Sequence, residues 1–501
     1  MDELRRPMHR LSLAALPDLS ARAQIPAYRR GDLSAGIVHI GVGNFHRAHF
    51  GVYLDDLFNM GASLDWAIVG AGVMPGDEAM RQALAGQDYL TTIVEQEKAS
   101  SRARITGPMI DFVPPADTAA LVKRMADPAI RIVSLTVTEG GYMIDPATGR
   151  FDPQHPAMQR DAASPETPAS AFGLILRSLA LRRARGVPPF TVMSCDNVPH
   201  NGVVTRNAVA GLARLFDPHL ADWVAAHVAF PNGMVDRITP ATSDREREIV
   251  ARDFGIADAW PVFCEEFRQW VLEDSFTMGR PALERAGVTF VTDVTPWENM
   301  KIRILNGGHA IIAYAGGLLD VPFVHEAMEH PLIAAFLDKV ETEEVIPTVA
   351  PVPDTDLHDY YRLIVRRFAN PKIGDTIRRL CLDGSNRQPK FIVPVLRDRL
   401  RAGASIDGLA LESALWCRYC YGETEGGKTI EPNDPNWSRL QVLARQARKT
   451  PAVWLGMEDI YGDVGQLPAF RLAFAASLDC LWQNGTRRTL EDYVKGAIPG
   501  P

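Results

Sequence analysis

This 501-residue sequence has few cysteines, no long apolar run and no excess of positive charge. Six cysteines are too few for a disulfide framework in a chain of this length, so we expect free thiols in a reducing compartment. No apolar run approaches the ~18 residues that a membrane span needs. The net charge is −8, and Lys and Arg are scattered rather than clustered for a phosphate backbone. These absences favour a cytoplasmic protein that binds neither membrane nor nucleic acid.

Two small groups of residues have the spacing of metal ligands. Cys417 and Cys420 form a CxxC pair, but no second pair completes a structural zinc site, so we predict that both lie in a buried apolar helix. His46 and His49 are three residues apart, with no acidic or cysteine ligand at a compatible local spacing. The sequence therefore predicts no metal site.

The hydrophobic pattern divides the chain into two parts. Short apolar runs at residues 35–42, 66–73, 130–137 and 190–195 alternate with helical, charged stretches. That alternation predicts a parallel sheet with crossover helices. From Trp297 onward the periodicity is helical almost throughout. We therefore predict an α/β domain over residues 1–296 and a mainly α-helical domain over residues 297–501.

The first apolar run leads into the glycine turn GVGNFHR, residues 41–47. Two glycines let the backbone turn tightly and approach a pyrophosphate at the N-terminus of the next helix. His46 replaces the third glycine of the dinucleotide fingerprint, so a purely structural turn explains the motif about as well. The predicted cofactor contacts are Gly41, Gly43, Asn44, Phe45, His46 and Arg47.

A second glycine turn, residues 70–72, is followed by Asp77. A carboxylate at this place accepts hydrogen bonds from the adenosine ribose hydroxyls and repels an added 2′-phosphate. The first basic residue beyond it is Arg81. Asp77 therefore favours NAD over NADP, the alternative being a solvated loop acid.

The segment WENMKIRILNGGHAIIAYAGGL, residues 297–318, combines polar side chains with apolar neighbours. On an α-helix with ~100° per residue, Lys301, His309 and Asn306 fall at about 0°, 80° and 140°, so that all three line one side. A surface helix would instead place its lysine opposite the apolar stripe. The pattern predicts the wall of a catalytic cleft, and the alternative is a helix-end lysine beside a buried histidine.

A lysine acts as a base when desolvation or a neighbouring cation lowers its pKa. Lys301 is the candidate, and the neutral amides of Asn306 and Asn197 could hydrogen-bond a developing alkoxide. His309 could bond the substrate oxygen or fix the position of the lysine. Glu139 directly follows a predicted strand, where ligands gather in α/β sheets, and is either catalytic or a capping residue.

Five motifs occur in order between residues 41 and 309: GVGNFHRAH, SLTVTEGGY, MSCDNVPHNG, FPNGMVDRITP and KIRILNGGH. Together they resemble the mannitol dehydrogenase family, the polyol-specific long-chain dehydrogenases. The resemblance implies an N-terminal Rossmann-type domain and a mostly helical C-terminal domain. It also implies hydride transfer between NAD and C2 of a polyol or ketose without a metal.

The resemblance assigns roles by motif position. Lys301 corresponds to the general base of the family, and Glu298 to an acid that helps to route the proton. The substrate and oxyanion contacts that it implies are Asn197, Asn306 and His309, and the contacts to further substrate hydroxyls are Asp236, Arg379 and Arg387.

Substrate preference is the most open part of the resemblance. Arg387 stands where a related sequence has lysine, and a uronate carboxylate could pair with Arg379, Arg387 or Lys390. The stretches DGSNRQPKFIVP and SALWCRYCYG favour oxidation of mannitol to fructose and its reversal. A uronate reductase and an arabinitol or glucitol dehydrogenase remain as alternatives.

Two further expectations concern the protein as a whole. A cofactor-binding regulatory protein would keep the glycine turns, but it would not need a lysine, an asparagine and a histidine in one pocket. We therefore expect an enzyme. We also expect a monomer or weak oligomer that binds a small polyol or ketose.

Overall fold

A computed structural model describes residues 8–144 and 150–497, with the exception of the Glu139 side chain. The chain forms two compact units, of which the first ends at Thr295 and the second begins at Pro296. Within the described residues, no helix combines the length and apolar character needed to cross a membrane.

The described part of the first unit holds thirteen strands in four sheets. In chain order they are β1 (His9–Arg10), β2 (Ala35–Ile40), β3 (Ala67–Ala71), β4 (Thr91–Gln96), β5 (Ser101–Thr106), β6 (Met109–Val113), β7 (Ile132–Leu135), β8 (Thr191–Ser194), β9 (Gly233–Asp236), β10 (Ile256–Ala257), β11 (Val262–Glu265), β12 (Gln269–Glu273) and β13 (Thr289–Val291).

The central sheet has five parallel strands in the order β6-β3-β2-β7-β8. The chain starts in the middle at β2, runs outward through β3 and β6, and then returns to the other side of β2 as β7. Strand order therefore reverses between β2 and β7, and ligands of such sheets bind beyond the carboxyl ends of the strands at this reversal. This is a Rossmann-type arrangement, and the predicted fold class is confirmed.

Helices cover both faces of the central sheet. Along β2, Val38 and Ile40 belong to one apolar core, whereas Ile37 belongs to a second core on the opposite face. This doubly buried strand explains why its sequence is continuously apolar. The α-helices described in this unit are Leu16–Leu19, Asn44–Ala48, Phe50–Asn59, Asp77–Ala85, Thr118–Met125, Pro156–Ala163, Ala171–Ala184, Asn201–Arg214, Pro218–His227 and Asp244–Ile249.

Three smaller sheets complete the first unit. Strands β4 and β5 form an antiparallel pair that β11 extends in parallel, and β12 lies between β9 and β13. A two-stranded pair joins β1 to β10. The alternating pattern of the sequence did not predict these sheets.

The second unit is mainly helical, as predicted. Its α-helices are Thr295–Met300, Gly307–Leu318, Val324–Glu329, Pro331–Val340, Leu357–Phe368, Ile377–Leu380, Gly384–Phe391, Val393–Arg401, Asp407–Cys420, Trp437–Ala447, Ala452–Leu455, Glu458–Tyr461 and Pro468–Val494, the last of which is kinked at Gly485. Two π-helical segments, Lys301–Asn306 and Glu341–Val345, continue helices of this unit.

The cysteines behave as the sequence predicts. All six are free thiols, and Cys417 and Cys420 are buried in the helix Asp407–Cys420. This helix is buried over nearly its whole length, which accounts for its apolar sequence.

Candidate active site

The glycine turn directly follows the central strand β2. Gly41 has a φ of +92°, and a Cβ atom there would lie 2.1 Å from the carbonyl oxygen of Thr136. The hydroxyl of Thr136 in turn donates to the carbonyl of Gly41 at 2.6 Å. Only glycine fits this contact, and it ties the turn to the end of β7 at the reversal of strand order.

Gly43, unlike Gly41, lies next to open space. It precedes the first residue of the helix Asn44–Ala48, and the nearest atom to a Cβ placed there would be the carbonyl oxygen of Gly41 at 4.0 Å. Open space therefore adjoins the first N–H groups of a helix. A dinucleotide pyrophosphate fits such a place, because its charge is attracted by those N–H groups.

His39 lies beneath the turn, and sequence reasoning missed it. Its Nδ1 lies 2.8 Å from Ser134 Oγ, and its Nε2 lies 3.0 Å from Thr136 Oγ1. Because the hydroxyl of Thr136 already donates its hydrogen bond to the carbonyl of Gly41, we assign the Nε2–H of His39 as the donor to Thr136 Oγ1. Burial lowers the pKa of His39 to about 3, and the ring is neutral. A polar residue within an otherwise apolar strand was the available signal.

The predicted cofactor residues His46 and Arg47 are both buried. The ring of His46 stacks on His39 with centroids 3.4 Å apart, and burial holds its pKa well below the usual value. Arg47 donates to the carbonyl of Trp260 at 2.5 Å and to Asn44 Oδ1 at 2.8 Å. These contacts fix the helix Asn44–Ala48, and cofactor contacts by the two side chains stay predictions.

Asn44 and Phe45 also make contacts within the protein. The amide of Asn44 donates to the carbonyl of Pro240 at 3.0 Å and to Thr242 Oγ1 at 2.9 Å. Phe45 stacks on His49 with centroids 4.8 Å apart. Among the described residues no cluster of three or more metal-ligating side chains occurs, here or elsewhere.

Asp77 begins the helix that follows β3. One of its carboxylate oxygens, Oδ2, accepts the backbone N–H groups of Val73 at 3.0 Å and Met74 at 2.9 Å. The residue therefore shapes the loop after β3. Its predicted contact with a ribose hydroxyl stays a prediction.

Asp196 organises the loops at the carboxyl ends of β7 and β8. Its carboxylate accepts the N–H groups of Val137 at 2.9 Å and Thr138 at 3.0 Å, and the hydroxyl of Tyr142 at 2.7 Å. Thr138 has a φ of 64° and a ψ of 169°, a conformation that costs free energy and persists when its surroundings hold it. Sequence reasoning missed Asp196, although it directly precedes the predicted Asn197.

Three further predicted residues lie in the first unit. Asn197 is exposed just beyond the end of β8, and Asp236 is buried as the last residue of β9. The side chain of Glu139 lies outside the part of the chain that the structure describes. Roles in catalysis or substrate binding stay predictions for all three.

Lys301 lies in the interior of one continuous helical run from Thr295 to Leu318. Its exposure is 6%, so it is not a charge at a helix end. Glu298 is also buried and lies three residues earlier, which places the two side chains on the same helical face.

The helix is π-helical from Lys301 to Asn306, which corrects the predicted angles. The N–H of Gly307 bonds to the carbonyl of Ile302, five residues back instead of four. Asn306, five residues after Lys301, therefore lies one turn above it and closer in angle than an α-helix allows. The buried Oδ1 of Asn306 has no hydrogen-bond partner in the described part of the chain. π segments occur frequently at functional sites, and a buried unsatisfied amide oxygen calls for a bonding partner such as a ligand.

His309 follows in the same helix and stacks on Phe368, with centroids 4.2 Å apart. Burial holds its pKa well below the usual value, and the positive charges of Arg379, Arg387 and Arg367 lower it further. The imidazole is therefore neutral at physiological pH. The predicted substrate residues Arg379 and Arg387 act electrostatically on the predicted His309.

The two arginines differ in their partners. Arg379 forms a two-bond ion pair with Asp375, in which its Nε lies 2.5 Å from the carboxylate. Arg387 donates its Nη1 to the carbonyl of Leu380 at 2.8 Å. The charge of Arg379 is therefore largely balanced within the protein.

Two family models match the chain. The mannitol dehydrogenase Rossmann domain matches residues 35–285, and the mannitol dehydrogenase C-terminal domain matches residues 293–482. The chain belongs to the mannitol dehydrogenase family. The family resemblance predicted from the motifs is thereby confirmed.

Similar proteins and structures cover nearly the whole chain. Mannitol 2-dehydrogenase of Cereibacter sphaeroides is 62% identical over 94% of this chain and 98% of its own length. A structure of Pseudomonas fluorescens mannitol 2-dehydrogenase with NAD and D-mannitol is 45% identical, with a TM-score of 0.87 over 97% of this chain and 100% of that chain. A substrate-free D-sorbitol dehydrogenase is 35% identical, with a TM-score of 0.88 over 98% of this chain and 100% of that chain.

Proposed function

We propose that this protein is an NAD-dependent polyol dehydrogenase that oxidises D-mannitol at C2 to D-fructose and catalyses the reverse reduction. The relatives support the reaction, since the C. sphaeroides protein is a mannitol 2-dehydrogenase and the P. fluorescens structure contains NAD and D-mannitol. The observation that carries the proposal is the buried Lys301 at the start of a π segment that ends at Asn306.

Lys301 is the general base in this proposal. Its Nζ accepts the proton of the C2 hydroxyl as hydride leaves C2, and no metal takes part. The buried position of Lys301 limits competition from bulk water. Glu298, on the same helical face, passes the proton onward.

Three neutral groups stabilise the substrate oxygen as charge develops on it. The amides of Asn197 and Asn306 each donate a hydrogen bond. The neutral imidazole of His309 donates a third bond or orients the lysine. Because these groups carry no charge, they distinguish an alkoxide from an alcohol through hydrogen bonding alone.

The glycine turn of the first unit holds the cofactor. The open space beside Gly43 receives the pyrophosphate, and Asp77 favours the free ribose hydroxyls of NAD over the 2′-phosphate of NADP. NAD bound at this turn would supply the hydride acceptor. The hydrogen bonds from His39 through Thr136 to Gly41 keep the turn in the shape that admits it.

The ion pair of Arg379 with Asp375 removes one of the three cations that could bind a uronate carboxylate. A uronate carboxylate needs an arginine whose charge is not already balanced. Arg379 instead offers its remaining N–H groups to hydroxyls, and Asp236 accepts from another hydroxyl. D-Glucitol is a second candidate substrate, because the similar D-sorbitol dehydrogenase shares the fold at 35% identity.

A substrate panel tests this proposal. The purified protein is given D-mannitol, D-glucitol or D-arabinitol with NAD or NADP, and formation of reduced cofactor is followed. We expect the highest kcat/KM with D-mannitol and NAD, and faster reduction of fructose than of fructuronate by NADH. Faster reduction of fructuronate would replace the proposal with a uronate reductase.

A further inference from the structure

The helix Gly384–Phe391 carries Arg387 and contacts the buried helix Asp407–Cys420 at two levels. At the first level, a Cβ on Gly384 would lie 2.6 Å from the indole nitrogen of Trp416. At the second level, the side-chain amide of Gln388 donates to Glu412 Oε1 at 2.5 Å. The two levels are four residues apart on both helices, so each contact is one helical turn from the other.

The second level leaves two acceptor oxygens unsatisfied in the buried interior. Gln388 and Glu412 are buried, and in the described part of the chain neither Gln388 Oε1 nor Glu412 Oε2 has a hydrogen-bond partner. An ionised carboxylate can only accept, so it would leave Gln388 Oε1 unsatisfied. A protonated carboxyl has one O–H to donate, and a planar acid beside a planar amide can form two bonds at once.

We propose that Glu412 is protonated in the working enzyme and forms a two-bond acid–amide pair with Gln388, which positions Arg387 for the substrate. Glu412 donates its O–H to Gln388 Oε1, and Gln388 donates its N–H to Glu412 Oε1. Arg387 directly precedes Gln388, so the pair sets the place of its guanidinium. The proposal rests on the proposed function in one respect, namely that Arg387 contacts the substrate.

The surroundings of Glu412 favour its neutral form. Besides Gln388, the titratable groups that act on it are the phenols of Tyr314, from the helix Gly307–Leu318, and Tyr461, from the helix Glu458–Tyr461. Neither is a cation, and burial holds the pKa of both phenols well above the usual value. Burial raises the pKa of Glu412 to about 8, although the side chains of Gln388 and Ser413 oppose this.

Loss of the proton from Glu412 breaks one of the two bonds of the pair. The carboxylate still accepts the N–H of Gln388, but its second oxygen now lies next to Gln388 Oε1, and two acceptor oxygens repel each other. The pair opens, and the helix that carries Arg387 loses one of its two contacts. Binding of substrate therefore weakens at alkaline pH, whereas the chemistry at Lys301 does not depend on this pair.

The test is the pH dependence of KM for D-mannitol, measured with saturating NAD between pH 7 and pH 10. Glu412→Gln keeps a donor and an acceptor at every pH, because an amide does not titrate in this range. We expect the KM of the wild type to rise about tenfold above pH 8 and that of Glu412→Gln to stay flat, with similar kcat profiles. Glu412→Leu removes the pair and raises KM at every pH.

Glu344→Gln is the matched control. Glu344 is another buried glutamate of the same unit, with its pKa raised by burial to about 7, but it accepts N–H groups at the start of the helix Asp407–Cys420. We expect this variant to keep the alkaline rise in KM. A rise in Glu412→Gln equal to that of the wild type would overturn the proposal, as would a normal KM in Glu412→Leu.

An infrared measurement separates this proposal from the proposed function. The wild type minus Glu412→Gln difference spectrum at pH 7 is expected to show the carbonyl stretch of one protonated carboxyl, whatever substrate the enzyme uses, because the other buried carboxyls contribute equally to both proteins. No difference between the two spectra would overturn the acid–amide pair. A protein that shows the band but does not oxidise mannitol would contradict the proposed function alone.

Discussion

The imidazole of His309 lies nearly parallel to the ring of Phe368, with 4.2 Å between centroids and 13° between planes. The stack fixes one face of a histidine that burial and three arginines keep neutral. Neutrality matters because an imidazolium close to the substrate would repel a protonated Lys301. The orientation of the ring decides which nitrogen faces the substrate oxygen.

Phe368→Leu is therefore expected to reduce kcat about tenfold, because a mobile imidazole loses its alignment with the substrate oxygen. The affinity for NADH should not change. Phe323→Leu is the matched control, since it removes the stack of Phe323 on His325 in the same unit. Equal kcat values for the two variants would show that the stack on His309 has no role in turnover.

Gly43→Ala tests the cofactor turn. The new methyl group meets no protein atom closer than 4.0 Å and the φ of −97° suits alanine, so the fold should be unchanged. The methyl group would occupy the space proposed for the pyrophosphate, and we expect NADH to bind at least tenfold more weakly by fluorescence titration. Gly31→Ala, where a Cβ also meets open space, is the control. Wild-type affinity for NADH in Gly43→Ala would show that the pyrophosphate does not bind at this turn.

Asp196→Asn tests the loops at the carboxyl ends of β7 and β8. The amide would turn N–H groups toward the backbone donors of Val137 and Thr138, so the strained conformation of Thr138 loses its support. We expect unfolding free energy to fall by about 1–3 kcal/mol and kcat/KM to fall at least tenfold. Tyr142→Phe, which removes one neutral donor, should have a smaller effect on kcat/KM. A larger loss of kcat/KM in Tyr142→Phe than in Asp196→Asn would show that Tyr142, and not Asp196, holds the loop in place.

The raised pKa of Glu412 also predicts how stability depends on pH. Below pH 4.5 its carboxyl is protonated in both folded and unfolded chains. Between pH 4.5 and about 8 only the unfolded chain releases the proton, so the stabilisation from the neutral acid is lost as the pH rises. Above about pH 8 the loss is complete.

Glu412→Gln lacks this titration. We expect its unfolding free energy to gain about 2–4 kcal/mol relative to the wild type between pH 5 and pH 8, measured by urea denaturation. Glu431→Gln, at an exposed glutamate of the same unit, should show no such gain. A constant difference between wild type and Glu412→Gln across this range would mean that Glu412 is ionised in the fold.

Sequence patterns predicted the central sheet because its strands are buried on both faces. The runs at residues 35–42, 66–73, 130–137 and 190–195 contain β2, β3, β7 and β8. The edge strand β6 was missed, since Asp111 interrupts its apolar residues. The hairpin of β4 and β5 is local but was missed, whereas the pairings of β1 with β10 and of β11 with β4 join distant segments, which a local pattern does not report.

The sequence predicted which residues belong to the candidate site, but it did not predict how they are arranged in space. The motifs identified Lys301, Asn306 and His309, yet a fixed helical period could not predict the extra residue in the π segment that brings Asn306 above Lys301. The supporting residues His39, Asp196 and Glu412 were missed because their partners lie far along the chain. Hydrogen bonds of this kind have no periodic signature in a sequence.

The most direct test of the account is the turnover of Lys301→Ala with D-mannitol and NAD. Loss of a general base should reduce kcat about 10²–10⁴-fold, whereas NADH binding and thermal unfolding stay close to those of the wild type. Added primary amines should restore part of the turnover, and Lys449→Ala, at an exposed lysine of the same unit, should keep full activity. A Lys301→Ala protein that turns over within tenfold of the wild type would contradict the role of Lys301 as the base.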